Sequence, residues 1–270
     1  MKRILTMQDI SCLGKCSLTV ILPVISAMGT ECSVLPTAVL STHTGFPAPH
    51  VADLSREIPE IISHWASLNV TFSGIMTGYL ANPHQAALAE SLIDTFGDEG
   101  CLTVCDPAMA DHGKLYSGLT TETVSAMGRL CRKADLCLPN ITEGALLSGI
   151  PYRSAADEGY CRELAQALHG KGLNSILLTG MEQAPGQTGF FFSDGSSTYA
   201  YSTQKLPRSC HGTGDLFAAV VMGGQMRGLD APRAGALAAE FVKRCIAGTG
   251  ADSRFGVAFE PELKWLSNQL

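Results

Sequence analysis

The chain has 270 residues, 46% hydrophobic and 16% charged, and no Pro-, Ser- or Gly-rich linker or solenoid-spaced repeat divides it, so a single domain over 1–270 is expected. A net charge of −6 argues against a nucleic-acid surface, which needs clustered Lys and Arg. Ten cysteines behind an N-terminus too short in apolar core for a signal peptide point to reduced thiols and a cytoplasmic protein. Neither Cys12/Cys16 nor Cys101/Cys105 has zinc-knuckle spacing.

The first apolar run, Ile4 to Met7, ends at Gln8-Asp9 as a buried strand reaching a ligand loop would, and Gly14 closes that loop. Helical spacing follows from Ser17 to Ala27, with Gly29 as a stop, and Cys32 to Leu40 reads as the next strand. The longest uncharged run, between Glu31 and Asp53, is interrupted by Pro36, Pro47, Pro49, His43 and His50, so no membrane-spanning segment is expected. Helix Val51 to Leu68, strand Thr71 to Met76, helix Pro83 to Phe96 and strand Leu102 to Cys105 continue the alternation. Helix Thr120 to Arg132, strand Asp135 to Leu138, helices Ile141 to Ser148 and Asp157 to His169, and strand Ser175 to Thr179 extend it.

Gly189 to Ser193 and Ser197 to Thr203 flank Asp194-Gly195 as a β-hairpin, the one strong antiparallel signal. Helices Thr213 to Arg227 and Pro232 to Gly248 follow, then a terminal helix over Glu260 to Leu266. Alternating β and α elements imply an α/β fold with a mainly parallel central sheet covered by helices on both faces. Such sheets bind ligands at the carboxyl ends of their strands. Asp9, Thr42 to Thr44, Gly78-Tyr79, Asp106-Pro107, Pro139-Asn140, Thr179-Gly180 and Gly212 to Asp215 all fall just past predicted strands, so they should converge on one sheet edge.

Gly212-Thr213-Gly214-Asp215 opens a strongly apolar helix. The glycines allow close backbone approach, and the helix start offers N–H groups and partial positive charge to an anion. A carboxylate beside such a site is repulsive unless it does chemistry, and Asp215 could accept a proton from a hydroxyl attacking a γ-phosphate. Taken alone, the same four residues also read as a turn with an acidic first helical residue. Asp106 and Asp111 suit Mg²⁺, or a capped turn. Asn140 and Glu143 could contact phosphate oxygens and a metal-bound water, or form an N-cap with an acidic first turn. Cys210-His211 lies beside the glycine loop, but phosphoryl transfer needs no protein nucleophile, so His211 is expected to shape the loop.

The ordered set Gln8-Asp9 with Gly14, Ser41-Thr42-His43-Thr44, Ser73 to Leu80, Cys105 to Met109, Leu138-Pro139-Asn140 with Glu143, and Gly212 to Ala219 resembles the pyridoxal (pyridoxine, pyridoxamine) kinases. These belong to the ribokinase-like superfamily and are related to the hydroxymethylpyrimidine kinases. The resemblance spans nearly the whole chain and implies a three-layer α/β/α fold and ATP-dependent phosphorylation of a vitamin's 5′-hydroxymethyl group. It implies Asp215 as base, the amides of Gly212, Thr213 and Gly214 on the transferring phosphoryl group, and Asp106, Asn140 and Glu143 in the Mg-ATP shell. Thr179 would touch the nucleotide, and the Gly189 hairpin and Phe255-Gly256-Val257 would sit on the adenine side. His43, Thr44 and Tyr79 resemble pyridine-side residues. ATP, Mg²⁺, room for K⁺ and a homodimer come with the family. Members commonly have Ser where this chain has Asp9, and an aspartate there favours a protonated ring or keeps an aminopyrimidine acceptor in view. Ala108 to Leu119, with Gly113 and Gly118, is the candidate lid.

Overall fold

The computed structural model describes residues 2–269. Strands β1 (Arg3–Ser11), β2 (Glu31–Leu40), β3 (Val51–Asp53), β4 (Gly74–Thr77), β5 (Leu102–Cys105), β6 (Ala110–Asp111), β7 (Lys114–Leu115), β8 (Leu136–Cys137), β9 (Ser175–Met181), β10 (Gln187–Ser193) and β11 (Thr198–Gln204) alternate with nine helices. These are α1 (Leu18–Ala27), α2 (Ile58–Ser67), α3 (Pro83–Phe96), α4 (Thr121–Lys133), α5 (Ile141–Ser148), α6 (Glu158–Gly170), α7 (Thr213–Met226), α8 (Ala231–Gly248) and α9 (Leu263–Ser267).

Nine strands form one sheet in the order β11-β10-β9-β8-β5-β4-β1-β2-β3. Its centre is parallel from β2 to β9, whereas β3 at one edge and β10 and β11 at the other are antiparallel. The sheet separates two hydrophobic cores. One collects residues of α2 to α6, including Ile62, Leu92, Leu130, Ile141 and Leu164. The other collects α1, α7, α8 and α9 through residues such as Ile21, Val220, Phe241 and Leu266. The architecture is three-layer α/β/α, as the alternation predicted. Side chains such as Leu216, Val220 and Val221 are fully buried, and burying each stabilises by roughly 1.5–3 kcal/mol.

Local chemistry sets the helix starts. Asn82, Asp157 and Asp230 each accept a first-turn N–H with the side chain, at Gln85, Tyr160 and Arg233 respectively. The structure departs from the predicted helix Val51 to Leu68, because Val51–Asp53 instead pairs antiparallel with Ala38–Leu40. Asp53 then accepts the Ser55 N–H at 2.7 Å, a turn that ends the strand, and Pro59 marks the true helix start in its first turn. β1 also runs past Met7 through Gln8-Asp9 to Ser11, with a register irregularity against β2 between Gln8 and Ile10. The terminal helix divides into a 3₁₀ turn over Glu260–Glu262 followed by α9. Among the described residues no helix is long and apolar enough to cross a membrane.

Candidate active site

The carboxyl ends of β1, β4, β5, β8 and β9 open into a cavity of about 780 Å³ that reaches the start of α7. Asp9, His43, Thr44, Tyr79, Asp106, Asp111, Asn140, Glu143, Thr179 and Gly212 to Asp215 all line it. These candidate residues thus share one space, whereas Phe255, Gly256 and Val257, expected on the adenine side, do not line it and pack against Lys15, Phe46 and His211.

Gly212 caps α7 in the left-handed conformation, φ 84°, and a Cβ there would stand 2.2 Å from the Lys15 carbonyl oxygen. At Gly214 a Cβ would meet nothing within 4 Å, so that glycine leaves open space at the helix start. Asp215 follows in the first turn of α7, where backbone N–H groups converge and the helix dipole is positive. Burial pushes its carboxyl up to about 7; the backbone N–H of Ser17 opposes that shift and the charge of Asp9 adds to it.

Asp9 sits at the β1 irregularity, 5% exposed, and its carboxylate accepts the Ser17 hydroxyl at 2.6 Å. Burial raises its pKa, while hydrogen bonding by Ser17 and the nearness of Ser11 oppose the shift. Ser11 Oγ itself is buried and has no hydrogen-bond partner of proper geometry among the described residues. Tyr79 faces the same carboxylate, and its phenol is pushed up by burial and then by the charge of Asp9.

His43 is 4% exposed and fully engaged. Its Nδ1 accepts the Gly45 N–H at 3.1 Å, so Nε2 carries the proton and donates to the Arg254 carbonyl at 2.9 Å. With both nitrogens committed, its remaining offer to a ligand is its face. That ring also lies 4.7 Å from His211 and 4.8 Å from Phe46, tying three loops together. His211 is thereby a loop-shaping residue, with its pKa lowered by burial and by His43. Thr44 stands exposed at the rim.

Across the cavity, Glu143 is 2% exposed and reaches back from the first turn of α5. Its Oε1 accepts the N–H groups of Met109 at 2.9 Å and Ala110 at 3.3 Å, and its Oε2 accepts that of Asn140 at 2.9 Å. Burial nevertheless raises its pKa to about 7. The Asn140 amide is equally occupied: Oδ1 caps the helix at Glu143, and Nδ2 donates to the Ala110 carbonyl at 2.7 Å. This is the capping box readable in the sequence, with the further consequence that it fixes the segment after Asp106. Asp106 is pushed well above the usual carboxylate range by burial, then by the charges of Glu143 and Asp215. Asp111 points its carboxylate at His112 and is largely exposed.

No group of three or more His, Cys, Asp or Glu among the described residues is arranged to hold a metal by protein ligands alone. The oxygen-only set of Asp106 and Glu143 fits a cation that keeps its waters and shares phosphate oxygens, as Mg²⁺ does. Residues 108–119, the candidate lid, form the β6–β7 hairpin, turning at His112 and Gly113 with φ 49° and 76°. Its base is pinned to α5 by Glu143 and Asn140, and its turn by the Gly113 N–H, which donates to Thr142 Oγ1 at 3.0 Å.

Thr179 pairs in a bridge with Asn140 and donates its N–H to the Pro139 carbonyl at 2.9 Å, which carries β9 into the cavity wall. Beyond it, Gly189 of the hairpin lies so close to Tyr201 that a Cβ would stand 1.8 Å from the Tyr201 carbonyl oxygen. Ser11, Ser17, Tyr116 and Lys243 are among the lining residues that escaped the sequence reading. Lys243 is the one lysine or arginine among the described lining residues, and it donates to Thr203 Oγ1 at 3.2 Å. It lies inside a helix, where periodicity marks a solvated face and nothing local announces a cavity.

Residues 22–260 match the phosphomethylpyrimidine kinase family. A solved structure from Bacteroides thetaiotaomicron, described as a phosphomethylpyrimidine kinase in a crystal form with pyridoxal, is 35% identical, with a TM-score of 0.93 over 98% of this chain and 95% of that one. Pyridoxal kinase from Lactobacillus plantarum is 31% identical, with a TM-score of 0.91 over 100% and 98% of the two chains. A curated Schizosaccharomyces pombe relative described as a pyridoxal kinase is 25% identical over 82% of this chain and 72% of its own length. Two further curated relatives are covered over only 53% and 64% of their length.

Proposed function

The chain belongs to the phosphomethylpyrimidine kinase family, and from that premise we propose that it is an ATP-dependent pyridoxal kinase. In this reading a single 1–270 domain transfers the γ-phosphoryl group to the 5′-hydroxymethyl oxygen of pyridoxal, pyridoxamine or pyridoxine, in cytoplasmic vitamin B6 salvage and as a homodimer. The observation that carries it is the placing of Asp215, a carboxylate with its pKa near 7, in the first turn of a helix whose capping Gly212 is left-handed.

Asp215 takes the proton of the acceptor hydroxyl as that oxygen attacks, and the backbone N–H groups at Gly212, Thr213 and Gly214 hold the developing charge on the phosphoryl oxygens. Asn140, Thr179 and Lys243 face the nucleotide, with the Gly189 hairpin on its adenine side, whereas the Phe255-Gly256-Val257 segment packs against Phe46, Lys15 and His211 on the acceptor side. Asp106, Glu143 and Asp111 are the oxygen donors toward Mg²⁺, which when bound neutralises phosphate charge. A K⁺ requirement goes with the same reading. On the acceptor side, Tyr79 and the face of His43 offer a flat aromatic surface, Thr44 a hydroxyl at the rim, and Asp9 a charge for the ring.

The test is a substrate panel with Mg-ATP. Formation of pyridoxal 5′-phosphate supports the assignment, whereas exclusive turnover of hydroxymethylpyrimidine assigns the second reading, which the family description and the charge at Asp9 favour. No turnover of either acceptor would leave a nucleotide- or vitamer-binding sensor.

A further inference from the structure

Ser17 is held in a backbone conformation, φ 50° and ψ −128°, that favours glycine. It stands at the N-cap of α1, where a serine ordinarily accepts an N–H from the first helical turn, yet its side chain makes no capping bond. The hydroxyl is turned instead to Asp9, 2.6 Å away, with both residues 5% exposed. An isolated antiparallel bridge between Ile10 and Ser17 folds the intervening loop back to make that contact. One strained residue thus gives its hydroxyl to a buried carboxylate on β1 and not to its own helix.

The groups facing Asp9 are Ser11 from its own strand, Cys16 and Ser17 from the loop before α1, Tyr79 after β4 and Asp215 from α7. None is cationic. Ser11 lines the cavity beside Asp9, and its buried Oγ has no hydrogen-bond partner among the described residues. A buried carboxylate with neutral or negative neighbours calls for positive charge or an N–H from outside the protein.

We propose that Ser17 is a positioning residue whose hydroxyl aims Asp9 at a ring N–H of the acceptor heterocycle. The inference rests on the kinase reading above. It explains why the strain is kept: with glycine the backbone would relax, but the hydroxyl that orients Asp9 would be lost.

The experiment measures steady-state kinetics of the full chain with Mg-ATP and, in separate assays, pyridoxal and hydroxymethylpyrimidine, for wild type, Ser17→Ala, Ser17→Gly, Asp9→Asn and Asp9→Asn/Ser17→Ala. Loss of a hydrogen bond to a charged group should raise KM for the heterocycle about tenfold in Ser17→Ala, with a smaller fall in kcat and no change in KM for ATP. Ser17→Gly should show the same rise although it melts at or above the wild-type temperature, and in the Asp9→Asn background the effect of Ser17→Ala should vanish. A wild-type KM in Ser17→Gly, an undiminished Ser17→Ala effect without the Asp9 carboxylate, or an equal shift in KM for ATP would overturn the assignment. Should the wild type turn over neither heterocycle, the kinase reading itself fails and this inference with it.

Discussion

Glu143 Oε1 accepts the Met109 backbone N–H at 2.9 Å, so a carboxylate on the first turn of α5 holds the stretch that follows Asp106. Glu143→Ala would leave three N–H groups without their acceptor, those of Met109, Ala110 and Asn140. The expected cost is about 2–4 kcal/mol in urea denaturation, with Glu143→Gln losing about half as much because one oxygen still accepts. Stability within about 0.5 kcal/mol of wild type in both variants would show that the segment is held some other way.

Asp215→Asn keeps the shape of the side chain but removes the proton acceptor. Turnover should fall by about 10²–10⁴-fold while the dissociation constant for ATP changes little, as read by single-turnover kinetics and titration calorimetry. An equal loss of nucleotide binding would make Asp215 a ligand-holding residue and not a base.

Burial raises the carboxyls of Asp215 and Glu143 to about 7 each, and the sign of the consequence is fixed. A raised acid is protonated in the fold while the unfolded chain has already released its proton. These two carboxyls therefore contribute stability that is fully present below the ordinary carboxylate range and lost as pH climbs toward 7. Asp53 and Asp194, whose pKa values are lowered by hydrogen bonds, act in the opposite sense at low pH, so the melts are compared with those of Asp215→Asn. Activity runs the other way, because a base must be ionised: kcat/KM should rise with pH to an acid-side midpoint near 7. Thermal melts and a pH–rate profile on the same preparation check both, and an acid limb near 4 in the rate profile would contradict the burial of Asp215.

Gly212 and Gly214 separate packing from ligand approach. Gly212→Ala forces a Cβ to within 2.2 Å of the Lys15 carbonyl oxygen at φ 84°, and should cost about 2 kcal/mol or more of stability together with activity. Gly214→Ala meets no protein atom within 4 Å and sits in a helical turn, so it should fold as well as wild type. On the kinase reading its deficit should appear as slower turnover or weaker ATP binding, because the methyl group would enter space at the helix start that this reading gives to phosphate. A fully active Gly214→Ala would place the phosphoryl group elsewhere.

The alternation of strands and helices, the parallel sheet and the cluster of site residues were legible in the sequence because each carries a local signature. Buried strands end at polar residues, Asn140 and Glu143 form a capping box, and Asp194-Gly195 marks a hairpin turn. The failures were non-local. Val51 to Asp53 sits before an apolar periodic segment and reads as helix until Thr37–Leu40 is seen alongside it. Ser17 resembles an ordinary helix cap, and only the folded loop reveals that its hydroxyl goes to Asp9. The outward reach of Glu143 to Met109 spans 34 positions, which spacing rules for a single helix cannot register.

The two cores lie on opposite faces of the sheet, and each supports a helix that carries one of the buried carboxylates. Asp215 rides on α7 in one, Glu143 on α5 in the other, with the strands between them. The charges of both meet at Asp106, on the strand end between the layers, so a change of packing beneath either helix is felt across the thickness of the sheet.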